Sequence, residues 1–223
     1  QTRRLRPCMH KKTLLAAVLC VAASLAHASP ELLRSAEQGD LAGVQRQLRS
    51  GAAVDARDAR QRTPLLLATW ANHPAVAQAL IAAGADVNAK DDQHDSAYLV
   101  AGAHGRTEIL KMTLTHGADL RSTNRYGGTA LIPASEKGHP EAVRLLIQAG
   151  ADVDFVNKLG WTSLLEVAIL GQDTTVYQDI TRQLIAAKAN VNLPDKNGVT
   201  ALQHARQRGL TQIVALLVQA GAR

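Results

Sequence analysis

The feature that most constrains the fold of this chain is a glycine that recurs at a fixed interval. Gly51, Gly84, Gly117 and Gly150 are separated by steps of 33 residues. A second series keeps the same register, with one asparagine among its members and one longer step near its end: Gly39, Asn72, Gly105, Gly138, Gly171 and Gly209. A period of this size is typical of stacked supersecondary units and not of a single globular core.

The segment from Asn124 to Val156 shows what one unit contains. Thr129 is predicted to cap a first helix through its hydroxyl, and the residues that follow are small or apolar until Gly138 ends the run. Pro140 suits the first position of a second helix, because its missing N–H has no intrahelical acceptor there. The apolar residues of that second helix share one stripe: Ala142, Leu145, Leu146 and Ala149. Each unit is therefore predicted to be an antiparallel helix pair followed by a polar turn.

Short motifs recur from unit to unit, namely Thr63-Pro64-Leu65 with Ala68, Thr129-Ala130-Leu131 with Ala134, and Gly84-Ala85-Asp86-Val87-Asn88. They resemble the ankyrin repeat signature in residue type, period, helix order and turn position. The resemblance covers roughly Ser29 to Arg223 and implies an all-α solenoid of helix-turn-helix units with projecting β-turns. The histidine that usually follows the Thr-Pro-Leu step is replaced, and the architecture does not require it; its places hold Leu66, Leu99, Ile132, Leu165 and Gln203.

The register predicts one repeat domain over residues 29–223 with six repeats, caps included: 29–57, 58–90, 91–123, 124–156, 157–194 and 195–223. Six exceed the roughly three repeats that a continuous core requires. Pro133 is predicted to be tolerated, because it lies near the start of its helix, where N–H groups lack intrahelical acceptors. In the third repeat, Asp95-Ser96-Ala97-Tyr98 is a weaker start for a first helix. The last helix carries apolar residues that no following repeat covers.

The fifth repeat is longer than the others by five residues, which lie between Gly171 and Lys188, around Gln172–Val176. Insertions in repeat arrays map to loops, and loops on rigid scaffolds often carry function. Two interpretations stay open: a loop that contacts a partner, and a neutral surface insertion.

Residues 1–28 do not follow the repeat register. Lys11 and Lys12 form a basic segment after Met9, an apolar run extends from residue 14 to 25, and Ala26-His27-Ala28 is a small-x-small cleavage site. This arrangement predicts a secretory signal peptide, with the native chain starting at Met9 and the mature protein in a bacterial periplasm, or alternatively secreted. The run is too short to span a membrane. A lipoprotein anchored at Cys20 is a weaker alternative, because Leu19 occupies a place where a small residue is needed.

Removing this leader changes what the composition implies. All five basic residues of the leader leave with it, so the formal net charge falls from +6 to +1, and no nucleic-acid partner is expected. Cys8 and Cys20 leave too, so the mature chain is expected to have no disulfide, no cysteine metal site and no cysteine nucleophile.

Catalytic motifs are missing from the sequence: there is no nucleophile elbow, zinc-protease motif, phosphate loop or calcium loop. His73 and His139 precede prolines and are interpreted as helix caps. The other histidines fall at unlike positions of different repeats, and Glu166 is interpreted as an ordinary helix residue at a repeat junction. We expect no enzymatic activity, no metal and no cofactor.

The resemblance implies that a partner binds where the turn tips and the ends of the first helices form one concave surface. Trp, Tyr and Arg dominate protein interfaces, and the chain is only 3% aromatic. The predicted contact residues are Arg60, Arg62, Trp70, Asp92, Gln93, His104, Arg125, Tyr126, Glu136, Lys137, Lys158, Leu159, Trp161, Lys196, Asn197, Gln207 and Arg208. Alternatively, both tryptophans pack between repeats as core. The Arg and Lys side chains between the aromatic ones predict an acidic or extended peptide segment as ligand.

These observations predict a monomeric, non-enzymatic scaffold of the bacterial envelope that binds a protein partner. Two alternatives remain. The first is an inhibitor or accessory subunit of an envelope enzyme, including one connected with defence against oxidants, as the resemblance suggests. The second is a secreted effector directed at a host.

Overall fold

The computed structural model describes residues 30–223, and this part of the chain contains twelve α-helices. Their bounds are α1 Pro30–Gln38, α2 Leu41–Arg49, α3 Pro64–Trp70, α4 Pro74–Ala82, α5 Ala97–Ala103, α6 Thr107–Thr115, α7 Leu131–Glu136, α8 Pro140–Gln148, α9 Ser163–Leu170, α10 Thr175–Ala186, α11 Ala201–Gln207 and α12 Thr211–Gln219. The predicted leader lies outside the described residues.

The helices form two layers that run the length of the described chain. Each odd-numbered helix packs against the even-numbered helix that follows it and against the next odd-numbered helix, and the even-numbered helices stack in the same way. One apolar cluster extends from Leu32 in α1 to Leu217 in α12. No strand occurs in residues 30–223, where β pairing is limited to one isolated bridge between Pro194 and Thr200. This confirms the predicted all-α solenoid of helix-turn-helix repeats.

Each repeat after the first opens with a turn that one side chain organises. An Asp or Asn Oδ1 accepts the backbone N–H groups two and four residues later, and this residue is Asp58, Asp91, Asn124, Asn157 or Asp195. The fourth residue of the turn has a positive φ, and it is glycine in the last three turns. Gln61 and His94 adopt this conformation in the first two, each with a φ of 62°. His94 is therefore a turn residue.

Hydroxyl caps begin the first helices α3, α5, α9 and α11, but not α7, and this difference corrects our prediction. The Thr63 Oγ1 accepts the Leu66 N–H at 3.2 Å, and Ser96 caps α5 in the same way despite the weaker sequence around it. Thr129 does not cap α7: this helix begins at Leu131, and the Thr129 Oγ1 is buried without a partner. Pro133 lacks the N–H that would bond the Thr129 carbonyl, so the first turn forms differently. The helix does continue through Pro133 to Glu136, as predicted.

The predicted capping role of His73 and His139 is wrong, because neither side chain caps its helix. The His73 Nε2 lies 3.2 Å from the Glu37 carbonyl oxygen of the preceding repeat. Its ring covers Gly39, whose φ is 74°, so closely that a Cβ there would lie 2.7 Å from the imidazole. The His139 ring covers Gly105 in the same way. At the equivalent position of the first repeat, the smaller Asp40 carboxylate does cap its helix, α2. The larger imidazoles of His73 and His139 pack over a glycine of the repeat before them and do not cap.

We predicted that the extra residues of the fifth repeat form a loop around Gln172–Val176, and this prediction is wrong in part. Helix α9 is extended to Leu170, the loop covers only residues 171–174, and α10 has 12 residues against 9 in α8. Val176 and Tyr177 lie inside α10, and both side chains lie next to Gly138 of the preceding repeat. The Tyr177 hydroxyl donates to the Glu136 carbonyl at 2.8 Å. Packing against the preceding repeat thus favours helix over loop.

The Asp173 carboxylate joins the fifth repeat to the sixth. It accepts the N–H groups of Gln212 at 2.9 Å and Ile213 at 3.2 Å, and the Thr211 hydroxyl at 3.1 Å. The residue that precedes α12 is Leu210, which has no side chain that can cap. The loop therefore supplies this helix with its cap from the neighbouring repeat.

Candidate protein-binding surface

A groove of about 520 Å³ crosses the second, third and fourth repeats. Its walls come from two kinds of element, the turn tips and the first helices α3, α5 and α7. We call this feature the groove, and it is lined by Arg60, Arg62, Trp70, Asp91, Gln93, Asp95, Leu99, Val100, Ala103, His104, Asn124, Arg125, Tyr126, Pro133, Glu136 and Lys137. Nine residues of this lining, Gln93 among them, belong to the contact set predicted from the sequence.

Trp70 and His104 form one end of the groove. Their ring centroids are 4.7 Å apart in an edge-to-face arrangement, and Trp70 remains 39% exposed. The His104 Nε2 lies 3.4 Å from the Lys137 Nζ. Because an ammonium group can only donate, this nitrogen is the acceptor, and the imidazole proton belongs on Nδ1. Burial and the nearby cations lower the pKa of His104 to about 4, so the ring is neutral at pH 7.

Tyr126 stands at the turn tips on another side of the groove and is 55% exposed. The Arg125 guanidinium lies over its ring, 4.9 Å from the centroid, and donates to the Gln93 Oε1 at 3.3 Å. Trp70 and Tyr126 are thus two exposed aromatic side chains on one groove, each accompanied by a basic group. Such residues combine apolar contact area with polar recognition.

Most of the other charged side chains of the groove already have partners within the fold. The Arg62 Nε pairs with the Asp58 Oδ2 at 2.7 Å, and the Arg60 Nε lies 4.0 Å from the Asp92 Oδ1. Asp91 is buried and accepts two backbone N–H groups. Burial, and then the charge of Asp91, raise the pKa of Asp95. Among the cations of the groove, Arg125 and Lys137 have no carboxylate within ion-pair distance in the described chain.

Several predicted contact residues lie outside the groove and are engaged within the fold. The Lys158 Nζ donates to the Arg125 carbonyl at 3.1 Å, and the Lys196 Nζ donates to the Lys158 carbonyl. Arg208 donates to the Gly171 carbonyl at 2.8 Å and to the Ala168 carbonyl, at the end of α9. These side chains join successive repeats, and their cationic groups are partly occupied before any partner binds.

The remaining members of the predicted set continue the turn-tip surface toward the C-terminus. Leu159 is 49% exposed at its turn, and Asn197 is exposed at the last one. Gln207 is exposed at the end of α11. Trp161 is half-buried and packs against the core, so it contributes to both the repeat junction and the surface. Trp70 is the more accessible of the two indoles.

Sequence reasoning missed two kinds of residue at or near the groove. Leu99, Val100, Ala103 and Pro133 contribute apolar lining to the groove, whereas their apolar character predicted a role in the core alone. Arg106 was missed as well. It precedes a second helix, and nothing in the sequence indicates that its side chain lies near Trp70. Its Nη2 lies 3.5 Å from the Trp70 carbonyl oxygen. The 36-residue separation between these two positions is close to one repeat, and this spacing was the only available signal.

Glu166 is a buried carboxylic acid on α9, with a side-chain environment that the sequence did not predict. It is 4% exposed, its Oε1 accepts from the Asn157 Nδ2 at 3.0 Å, and its Oε2 has no hydrogen-bond partner. Burial, and then the charge of Glu136, raise its pKa to about 7. The group therefore holds a proton over a pH range in which an exposed glutamate is ionised.

Within residues 30–223, no group of three or more His, Cys, Asp or Glu side chains is arranged to hold a metal ion. None of the helices in the described chain has the length and apolar character needed to cross a membrane.

Comparison with known proteins agrees with this architecture. A family profile described as ankyrin repeats (3 copies) matches residues 32–124 and 97–178. The crystal structure of an ankyrin repeat domain from Acinetobacter baumannii AYE is 55% identical, with a TM-score of 0.83 over 86% of this chain and 98% of that one. Another crystallised ankyrin repeat protein is 44% identical, with a TM-score of 0.82 over 85% of this chain and 96% of that one.

A more distant structure has the same fold. The ankyrin repeat domain of Bcl-3, described as a unique member of the IkappaB protein family, is 32% identical, with a TM-score of 0.77 over 86% of each chain. A comparison with curated proteins found no match. The profile covers more than half of the chain, and ankyrin repeats are generally protein-interaction modules. This chain belongs to the ankyrin repeat family.

Proposed function

We propose that this protein is a non-enzymatic scaffold that holds a protein partner in the groove. The observation that carries the proposal is the pair of exposed aromatic side chains, Trp70 and Tyr126, on one groove between rigid repeats. Trp, Tyr and Arg are the side chains most enriched at interface hot spots, and here an exposed Trp and an exposed Tyr lie on the same groove.

The groove suits an extended segment of a partner better than a small molecule. It extends along three repeats, its lining contains both apolar and charged side chains, and its cations Arg125 and Lys137 have no carboxylate partner within residues 30–223. An extended segment can place side chains in successive repeats, because each repeat presents the same positions at a regular spacing.

We further propose that the mature protein works in the bacterial periplasm, or alternatively outside the cell. Support comes from the sequence of residues 1–28, where a basic segment, a short apolar run and a small-x-small site follow one another. Fusing residues 9–28 to a reporter that is active only after export tests this part. Retention of the fusion in the cytoplasm would contradict it.

The groove is tested by site-specific cross-linking in the native envelope. A photo-reactive side chain at position 93, inside the groove, is expected to capture a partner that the Trp70→Ala, Tyr126→Ala double variant no longer captures. Val156→Ala with Val218→Ala is the matched control, since both valines are exposed and lie outside the groove. Equal capture by the Trp70/Tyr126 variant and the wild type would contradict the proposal.

A further inference from the structure

His104 and Lys137 line the Trp70 end of the groove, and two further basic side chains outside the lining, Arg106 and His139, are close enough to act on the charge of His104. We call these four side chains the cationic cluster. His104 lies 3.4 Å from the Lys137 Nζ and against Trp70, whose carbonyl oxygen faces Arg106. In the described chain, neither Arg106 nor Lys137 has a carboxylate within 4.0 Å. Arg106 and Lys137 are the charged members at neutral pH, and since they have no counter-ion, an anion bound beside them would stabilise the arrangement.

Arg106 carries an unsatisfied donor close to this end of the groove. Its Nε is buried and has no hydrogen-bond partner, and its Nη2 makes only a long contact of 3.5 Å with the Trp70 carbonyl oxygen. A buried donor without an acceptor costs free energy unless a partner is supplied. A guanidinium offers paired donors in the geometry that a carboxylate accepts.

The carboxylates of the groove do not fill this site. The charge of Lys137 acts on Asp95, but the two groups are not within ion-pair distance, and burial and Asp91 raise the pKa of Asp95. The charge of Glu136 acts on Glu166 and Tyr177, on the side of α9 and α10, and not on His104. The groups that act on His104 are all basic: Lys137, Arg106 and His139.

We propose that the cationic cluster binds a carboxylate side chain of the partner, with an adjacent apolar residue of the same segment lying against Trp70. The inference rests on the proposed function and adds the chemical class of residue that the partner must present. Lys137 supplies the charge on the groove, Arg106 adds positive potential from outside the lining, and His104 supplies a further donor once it takes up a proton.

Binding is expected to take up protons, and the sign follows from the neighbours of His104. Burial and three basic groups hold the pKa of the free imidazole at about 4. A carboxylate beside the ring favours the imidazolium and raises the pKa in the complex. Affinity therefore increases as the pH falls through the pKa of the complex. It should pass through a maximum and then decrease, because the glutamate side chain of the ligand itself takes up a proton at about pH 4.3 and is then no longer a carboxylate.

The test uses a capped peptide that alternates leucine and glutamate, with its leucine and glutamine counterpart as control. Histidine NMR titrations of the described domain are recorded with and without each peptide. The glutamate peptide is expected to raise the pKa of His104 and to bind at least about tenfold more tightly than the glutamine peptide, while Lys137→Gln should remove most of this difference. Lys137 is exposed, so the variant should fold normally, and Arg121→Gln is a control with the same change of charge outside the cluster.

Each outcome decides between specific alternatives. Equal binding of the two peptides, or an unchanged pKa of His104 in the presence of the glutamate peptide, would overturn the carboxylate site. Inorganic phosphate that binds in place of the glutamate peptide and more tightly would also overturn it, in favour of a phosphate ligand. If the peptides fail while position 93 still captures a partner, the groove is the binding surface but recognises other chemistry. If the glutamate peptide binds and capture fails, the proposed function is wrong and the anion site remains.

Discussion

Glu166 is a residue whose environment costs stability at neutral pH. Its side chain is almost fully buried, one of its oxygens has no partner, and Glu136 adds a like charge. A carboxyl group in this position is more stable with its proton, because burial penalises the charged form. The position is apolar in the second, third and fourth repeats, where it holds Leu67, Val100 and Pro133.

Replacing Glu166 with glutamine should therefore stabilise the protein at neutral and higher pH. In the wild type the pKa rises from 4.5 in the unfolded chain to about 7 in the folded one, so the unfolded state loses its proton first. The wild-type free energy of unfolding should fall as the pH rises through this window, by as much as roughly 3 kcal/mol, and then level off. The Glu166→Gln variant should not show this component of the fall. Urea unfolding at several pH values across the window measures it, with the exposed Glu108→Gln as control. Identical pH dependence of wild type and variant would show that Glu166 is ionised in the folded state.

At the scale of the helix, the start of α7 differs from the starts of α3, α5, α9 and α11, which have hydroxyl caps. Thr63 and Thr129 occupy the same repeat position and are both buried, but only Thr63 accepts a backbone N–H. Replacement with valine keeps the shape of the side chain and removes the hydroxyl. We expect Thr63→Val to lower the free energy of unfolding by about 1 kcal/mol, because α3 loses its cap. Thr129→Val should be neutral or stabilising, because it removes a buried polar atom without a partner. Urea unfolding of the two variants provides the measurement, and equal losses would contradict the difference in capping.

Helix α12 depends on a residue outside its own repeat. The Asp173 carboxylate accepts two of its first N–H groups and the Thr211 hydroxyl. We expect Asp173→Ala to cost about 1 kcal/mol and to accelerate amide hydrogen exchange in the first turn of α12, because those N–H groups lose their acceptor. Asp179→Ala is the control, since Asp179 is exposed on α10 and bonds only to Gln183. Faster exchange confined to the loop at residues 171–174 would mean that Asp173 orders its own loop and not the helix.

At the scale of the whole molecule, the position of a repeat in the array should decide how a core defect spreads. Ile109 on α6 and Ile213 on α12 hold the same place in their repeats, and both have 0% exposure. The third repeat packs against neighbours on both sides, whereas α12 packs on α10 and α11. In a linear array, stability is close to a sum of repeat terms and nearest-neighbour interfaces.

Ile109→Ala and Ile213→Ala should each cost about 2 to 5 kcal/mol of local stability, but with different consequences. The central variant should uncouple the two halves of the array and broaden the urea transition, because both of its interfaces weaken. The terminal variant should unfold α11 and α12 first and leave the rest with nearly the stability of the wild type. Residue-resolved hydrogen exchange distinguishes the two patterns. The same uniform loss of protection in both variants would show that the described domain unfolds as one cooperative unit.

Most of the fold could be predicted from the sequence, because each repeat contains the local signals for its own turn and helices. The glycine register, the Asp or Asn at the start of each turn and the apolar stripe of each second helix recur, so errors in one repeat could be corrected from the others. The failures lie where a repeat departs from this pattern. Pro133 changes the start of α7. Residues 175 and 176, which were predicted to lie in a loop, belong to α10, where Tyr177 packs against the preceding repeat. Both effects depend on which backbone group or neighbouring surface is available in space.

The chain alone therefore determined the periodic helix pairs and the columns of residues that face the concave side, because both follow from spacing along a regular backbone. Only the tertiary structure decided which members of those columns are free. Lys158, Lys196 and Arg208 bond to carbonyl groups of neighbouring repeats, whereas Arg125 and Lys137 contact neutral side chains and have no carboxylate partner in the described chain. The physical reason is that a charged side chain bonds to whichever group lies within hydrogen-bond distance across the repeat junction. Repeats with similar sequences place different groups within that distance.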